Sequence, residues 1–136
     1  MSSPKQMLSK FQSESSEQSM KSLISMVFST RNLAHFAHWN TKSYAAHEAL
    51  GELYNTLVDK MDEIVEVYQG KYGLLEGLQT ASVAMPTDFC AHVEAEAKWV
   101  EENKKNIAGD CDVIMNMLDE LGGTYLKACY KLKNLS

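Results

Sequence analysis

The chain predicts an all-α fold, a four-helix bundle, and three observations carry that reading. Only two prolines occur in 136 residues. Apolar side chains recur every three or four residues through long stretches, the spacing of one helix face. Gly70, Gly73, Gly77 and Gly109, four of the seven glycines, fall between those stretches. At this length one bundle buries roughly 70% of its unfolded surface, so one domain suffices.

A first helix is expected from Ser15, where Ser15 and Gln18 have capping-box spacing, to about Asn40. Residues 1–14 read as a polar, flexible tail and 15–136 as the bundle domain. On this helix Met20, Ile24, Val27, Phe28, Arg31, His35, His38 and Trp39 fall on one side at 100° per residue. Leu23, Met26, Leu33 and Ala37 form a second apolar stripe on the opposite side. A lone bundle buries one stripe, so a homo-oligomer, at least a dimer, is expected.

The second helix is expected from Ser43 to Gln69, with Leu50, Leu53, Leu57, Met61, Ile64 and Tyr68 as its core stripe and Gly70 to Gly73 as its stop. Residues 74–86 form a connector long enough to cross the end of a bundle or hold one short helical turn. Thr87 and Asp88 suit the cap of a third helix reaching Ile107. Gly109 and Asp110 precede a fourth helix that runs towards Leu135, with Met117, Leu118, Leu121 and Tyr125 as its seam. Gly122 and Gly123 each cost that helix about 1 kcal/mol, so a kink or break is expected there. Trp39, Trp99 and the methionines read as packing residues.

The net charge of −5 is the wrong sign for tracking phosphates, and Lys5 and Lys10 balance Glu14 and Glu17 in the tail. Nucleic-acid binding is disfavoured, with the Lys127, Lys131 and Lys133 cluster as the one basic end. Cys90, Cys111 and Cys129 are too few and too far apart for a disulfide framework or a clustered thiolate zinc site, which points to a reducing cytoplasm. The longest apolar run, Leu23 to Phe28, is broken by Ser25, so neither a membrane span nor a signal peptide is expected. Phosphate loops, nucleophile elbows and hydrolase triads have no counterpart.

Polar residues on apolar faces are the remaining signal. His35 and His38 share the first helix's apolar stripe, while His47, Asp62 and Glu66 fall within a 100° sector of the second. Imidazoles and carboxylates from neighbouring helices make a mixed N and O ligand set suited to iron(II), manganese(II) or zinc. They serve equally as hydrogen-bonded core-edge groups and solvated acids. No Glu in the chain has His three residues later, which argues against the usual intrachain di-iron bundle. Asp88, His92 and Glu96 form an i, i+4, i+8 row on the third helix, read as a solvated face and left without a role.

The run from His35 to Gly73, HFAHWNTKSYAAHEALGELYNTLVDKMDEIVEVYQGKYG, resembles the first helical pair of the Dps miniferritins. The features are His-x-x-His-Trp, a downstream His-Glu, and Asp-Glu-x-x-Glu. The whole chain, including NTKSY, YQGKYG and YKLKNL, also looks like small uncharacterised proteins of tailed phages and some bacteria. The resemblance implies a ferritin-like bundle that binds iron(II) between two subunits and oxidises it with peroxide or oxygen. It places His38 and His47 among the imidazole ligands, Asp62 and Glu66 as carboxylates from the partner subunit, and His35 nearby. Two departures stand out: the connection from His38 to His47 is short, and the acidic position four after His47 is Gly51. Binding without fast turnover is the expectation, with a non-catalytic phage-encoded scaffold or host-interaction protein as the alternative.

Overall fold

The structure is a computed structural model that describes the backbone of residues 4–136 and the side chains from Ser16 onward. Four helices carry the fold: α1 Pro4–Asn40, α2 Tyr44–Tyr72, α3 Phe89–Ala108 and α4 Asp112–Asn134. The helix expected from Ser15 thus starts at Pro4, and of the expected tail residues 1–3 lie outside the described residues. Ser and Gln cost a helix interior only a few tenths of a kcal/mol each, so the Ser-rich stretch does not force a start there.

The other boundaries follow local chemistry. Ser43 caps α2 by accepting from the Ala46 N–H at 3.2 Å, and Asp88 caps α3 by accepting from the Ala91 N–H at 3.0 Å. Gly73 ends α2 at φ +100° and Gly109 ends α3 at φ +60°, conformations that side chains with a Cβ adopt at a cost. Helix α4 runs unbroken through Gly122 and Gly123. The expected break is absent because packing outweighs propensity: at Gly122 a Cβ would already touch Val100 of α3 at 4.0 Å.

Helix α1 packs on α2 and α3, and α4 packs on the same two. Every adjacent pair is antiparallel. Ser16 meets Tyr68 and Ile107, His38 meets His47, Glu52 meets Lys131, and Lys104 meets Asp119. The diagonal partners α2 and α3 are therefore parallel, and residues 73–88 must travel back along the bundle to join them. Helix α3 is about 30 Å long, well within the reach of sixteen extended residues. One long crossover of this kind is compatible with a ferritin-like fold. The crossover lies against α1, where the Ser29 hydroxyl donates to Ala81 O at 3.2 Å.

The core runs the length of the bundle. All six expected core residues of α2, Leu50 to Tyr68, are buried, as are Leu118, Leu121 and Tyr125 of α4. The second apolar stripe of α1 is a correction. Leu23 and Leu33 are buried within the single chain, and Met26 and Ala37 pack partly against the same core. Because α1 is flanked by both α2 and α3, its buried arc is wide, and that stripe is no longer a reason to expect partners. Exposed apolar surface includes the α1–α2 turn, where Phe36, Trp39 and Tyr44 are 48%, 64% and 77% exposed, and also Leu74 of the crossover and Leu126 and Tyr130 of α4. Trp39 is therefore not a core residue, whereas Trp99 packs partly against the core. No described helix is long and apolar enough to cross a membrane.

Candidate functional site

The last turn of α1 and the first of α2 bring His38 and His47 together. Their rings stack with centroids 3.6 Å apart and 18° between planes. His38 Nδ1 lies 2.6 Å from His47 O, and His47 Nδ1 lies 2.8 Å from His38 O. A carbonyl only accepts, so each ring carries its proton on Nδ1 and donates it to the other residue's backbone. Both Nε2 lone pairs are left available, the arrangement by which metal-binding histidines are oriented.

His35 stacks on Tyr54 at 4.1 Å and packs on Trp39 at 4.3 Å. Partial burial, then the charges of Arg31 and His38, hold the His35 pKa below its ordinary value. His35 is thus part of an aromatic wall beside the histidine pair. A cleft of about 630 Å³ opens next to His38, lined in part by Tyr44, Glu48, Gly51, Glu52, Tyr54 and Lys131. Glu52 accepts from Lys127 at 2.8 Å and from Lys131, which hold its carboxyl below the usual range.

Asp62 and Glu66 are exposed on α2. Fifteen residues of helix separate Asp62 from His47, about 22 Å at 1.5 Å per residue. One chain therefore pairs the two histidines but does not bring these carboxylates to them. Gly51 explains its own departure from the miniferritin pattern. A Cβ there would meet His38 Cε1 at 3.2 Å and Nδ1 at 3.3 Å, so the imidazole occupies the space an acidic side chain would need.

A second polar centre lies in mid-bundle, at the row left without a role. Glu96 is 6% exposed and Thr30 is 1% exposed. The Thr30 hydroxyl donates to the Glu96 carboxylate, with Oε2 at 2.5 Å, and lies 3.1 Å from His92 Nε2. Burial pushes the Glu96 carboxyl up to about 7, against the lowering effect of Thr30, and pushes His92 down. When Glu96 is ionised, His92 Nε2–H donates to Thr30 and Thr30 donates to Glu96. When Glu96 is protonated, the same chain can run in reverse. Tyr125 is fully buried with its hydroxyl unpartnered among the described residues, and its pKa is raised by burial and then by the Glu96 charge. Thr30, His92 and Glu96 form the floor of a chamber of about 700 Å³ between α1 and the crossover, whose walls include Ser22, Ser25, Ser29 and Thr80.

The available signal for this centre was the i, i+4 spacing of His92 and Glu96. Asp88 and Glu96 flanking His92 in one row make that face look solvated, and burial comes from Thr30 and the crossover, which are distant in sequence. Neither a curated protein nor a solved structure matches the chain. Residues 38–132 match DUF5856, a family of unknown function. That match spans more than half of the chain, from the His38 site to the end of α4, and the chain belongs to this family.

Proposed function

We propose that this DUF5856 protein is a ferritin-like divalent-metal-binding protein whose site forms between two copies of the chain. His38 and His47 supply imidazole from one copy, and Asp62 and Glu66 supply carboxylate from the other. The observation that carries the reading is the reciprocal tether of the two rings through Nδ1, which leaves both Nε2 atoms without a hydrogen bond among the described residues. The exposed Phe36, Trp39 and Tyr44 beside them are apolar surface suited to contact with a second copy. Two nitrogens and two carboxylates suit iron(II), with manganese or zinc as alternatives. The small donor set and the Gly51 substitution favour binding over rapid oxidation.

The test is metal content of protein purified without chelator or nickel resin, followed by iron(II) titration. Asp62→Asn with Glu66→Gln keeps shape and removes both anionic ligands, so it is expected to abolish binding while leaving helicity intact. Equal iron binding by parent and variant would sink the reading.

A second reading rests on the Gly51 contact. The histidine pair closes the α1–α2 turn as a structural latch, and the protein is a non-catalytic scaffold or interaction module, including one of phage origin. In that case His38→Ala lowers stability and no variant at His38, His47, Asp62 or Glu66 changes metal content.

A further inference from the structure

Antiparallel packing of α3 on α4 joins two cysteines that are remote in sequence. Cys90 sits in the first turn of α3, Glu94 one turn later on the same face, and Cys129 near the end of α4. One ligand atom from each of the three lies within 4.8 Å of the others, with Cys129 buried and the other two half-buried. Both thiols are free. Among the described residues this is the one group of three or more His, Cys, Asp or Glu side chains so gathered.

We propose that Cys90, Glu94 and Cys129 form a binding site for a soft divalent cation of the zinc class. Zinc binds thiolate sulfur at about 2.3 Å and carboxylate oxygen at about 2.0–2.2 Å, so tetrahedral coordination sets S···S near 3.8 Å and S···O near 3.5 Å. The donors need to close by at most about 1.3 Å from their present limit of 4.8 Å. Binding releases the two thiol protons to solvent and forms two metal–sulfur bonds and one metal–oxygen bond. Water takes the fourth position, as in sites with three protein ligands.

Charge supports the assignment. Two thiolates and the Glu94 carboxylate carry three negative charges, and the cation supplies two positive ones. Lys133, ion-paired with Glu94 in the same patch, supplies the third. The loaded site is therefore neutral overall, which a half-buried position favours. Lys133 needs one carboxylate oxygen and leaves the other for the ion.

The experiment uses the full, reduced chain titrated with cobalt(II) and then zinc. One cobalt equivalent is expected with thiolate-to-metal charge-transfer absorption in the near ultraviolet, which zinc removes by displacement. Cys90→Ser and Cys129→Ser are each expected to weaken cobalt binding more than about a hundredfold, and Glu94→Gln about tenfold. His38→Ala with His47→Ala is expected to retain the band, which separates this site from the one proposed above. Absence of the band in the parent, or its persistence in the double serine variant, would overturn the proposal. Should the serine variants lose helicity, alkylation of the parent decides. Zinc is expected to protect Cys90 and Cys129 but not Cys111, and equal labelling with and without zinc would refute the site.

Discussion

Replacing Glu96 with Gln is expected to stabilise the protein above neutral pH and to do so much less in mild acid. The Glu96 carboxyl is buried and pushed from 4.5 to about 7. An acid whose value rises on folding binds more protons folded than unfolded between the two values. Its contribution is therefore fully present below the unfolded value and is lost as pH rises through the folded one. At 1.36 kcal/mol per unit the loss is about 3 kcal/mol, complete by about pH 8. Glutamine keeps the shape and a carbonyl for the Thr30 hydroxyl but carries no charge. It should recover most of that 3 kcal/mol at pH 8 and under about 1 kcal/mol at pH 5.

Urea unfolding of parent and variant at both pH values measures this, and the difference between the two proteins isolates Glu96. His92 faces the same cluster and works in the opposite direction, since burial lowers its pKa and its contribution is lost as pH falls. It is present in both proteins, so it cancels to first order. If the parent and Glu96→Gln differ by the same amount at pH 5 and pH 8, the carboxyl does not titrate in this window and the chamber floor is wrongly described.

Gly109→Ala is expected to cost about 1–3 kcal/mol in a thermal melt, because φ is +60° and the new Cβ would lie 2.9 Å from the Tyr72 hydroxyl, which donates to Ala108 O. Ser16→Ala removes a bond to Ile107 O at 2.8 Å and the partner of the Tyr68 hydroxyl at 2.9 Å, with an expected loss of about 1–2 kcal/mol in urea unfolding. Light scattering at micromolar concentration should exceed the 15.3 kDa chain mass, and Trp39→Ser with Tyr44→Ser should return it to that mass. DNA retention at physiological salt is not expected, since Lys127 and Lys131 are paired with Glu52 and Lys133 with Glu94.

The fold was legible where one helix meets one neighbour, and the sites were legible only in part. The α2 stripe from Leu50 to Tyr68 announces itself because a single apolar face repeats without interruption. Helix α1 misleads because its neighbours cover two sides, so Leu23 and Leu33 look like spare surface on a helical wheel. His38 and His47 were within reach because nine residues and one turn separate them. Cys90 and Cys129 were not, since they lie thirty-nine positions apart and only antiparallel packing of α3 on α4 makes them neighbours. Glu96 was hidden for the same reason, its burial being supplied by α1 and the crossover.

Placement along the bundle separates what holds the fold from what is free to do chemistry. At one end Ser16, Tyr68 and Ile107 join α1, α2 and α3 through direct hydrogen bonds, and Tyr72 adds a bond to Ala108 O at 2.6 Å. At the other end lie the Nε2 atoms of His38 and His47 and the thiols of Cys90 and Cys129. Rearranging that end, by turning an imidazole or drawing two sulfurs together, leaves the three-helix tie untouched. Substitutions at the thiol positions are therefore expected to change metal content with little change in the unfolding midpoint. Ser16→Ala should do the reverse, and a parallel fall in both quantities for either class would show that the two ends are energetically coupled.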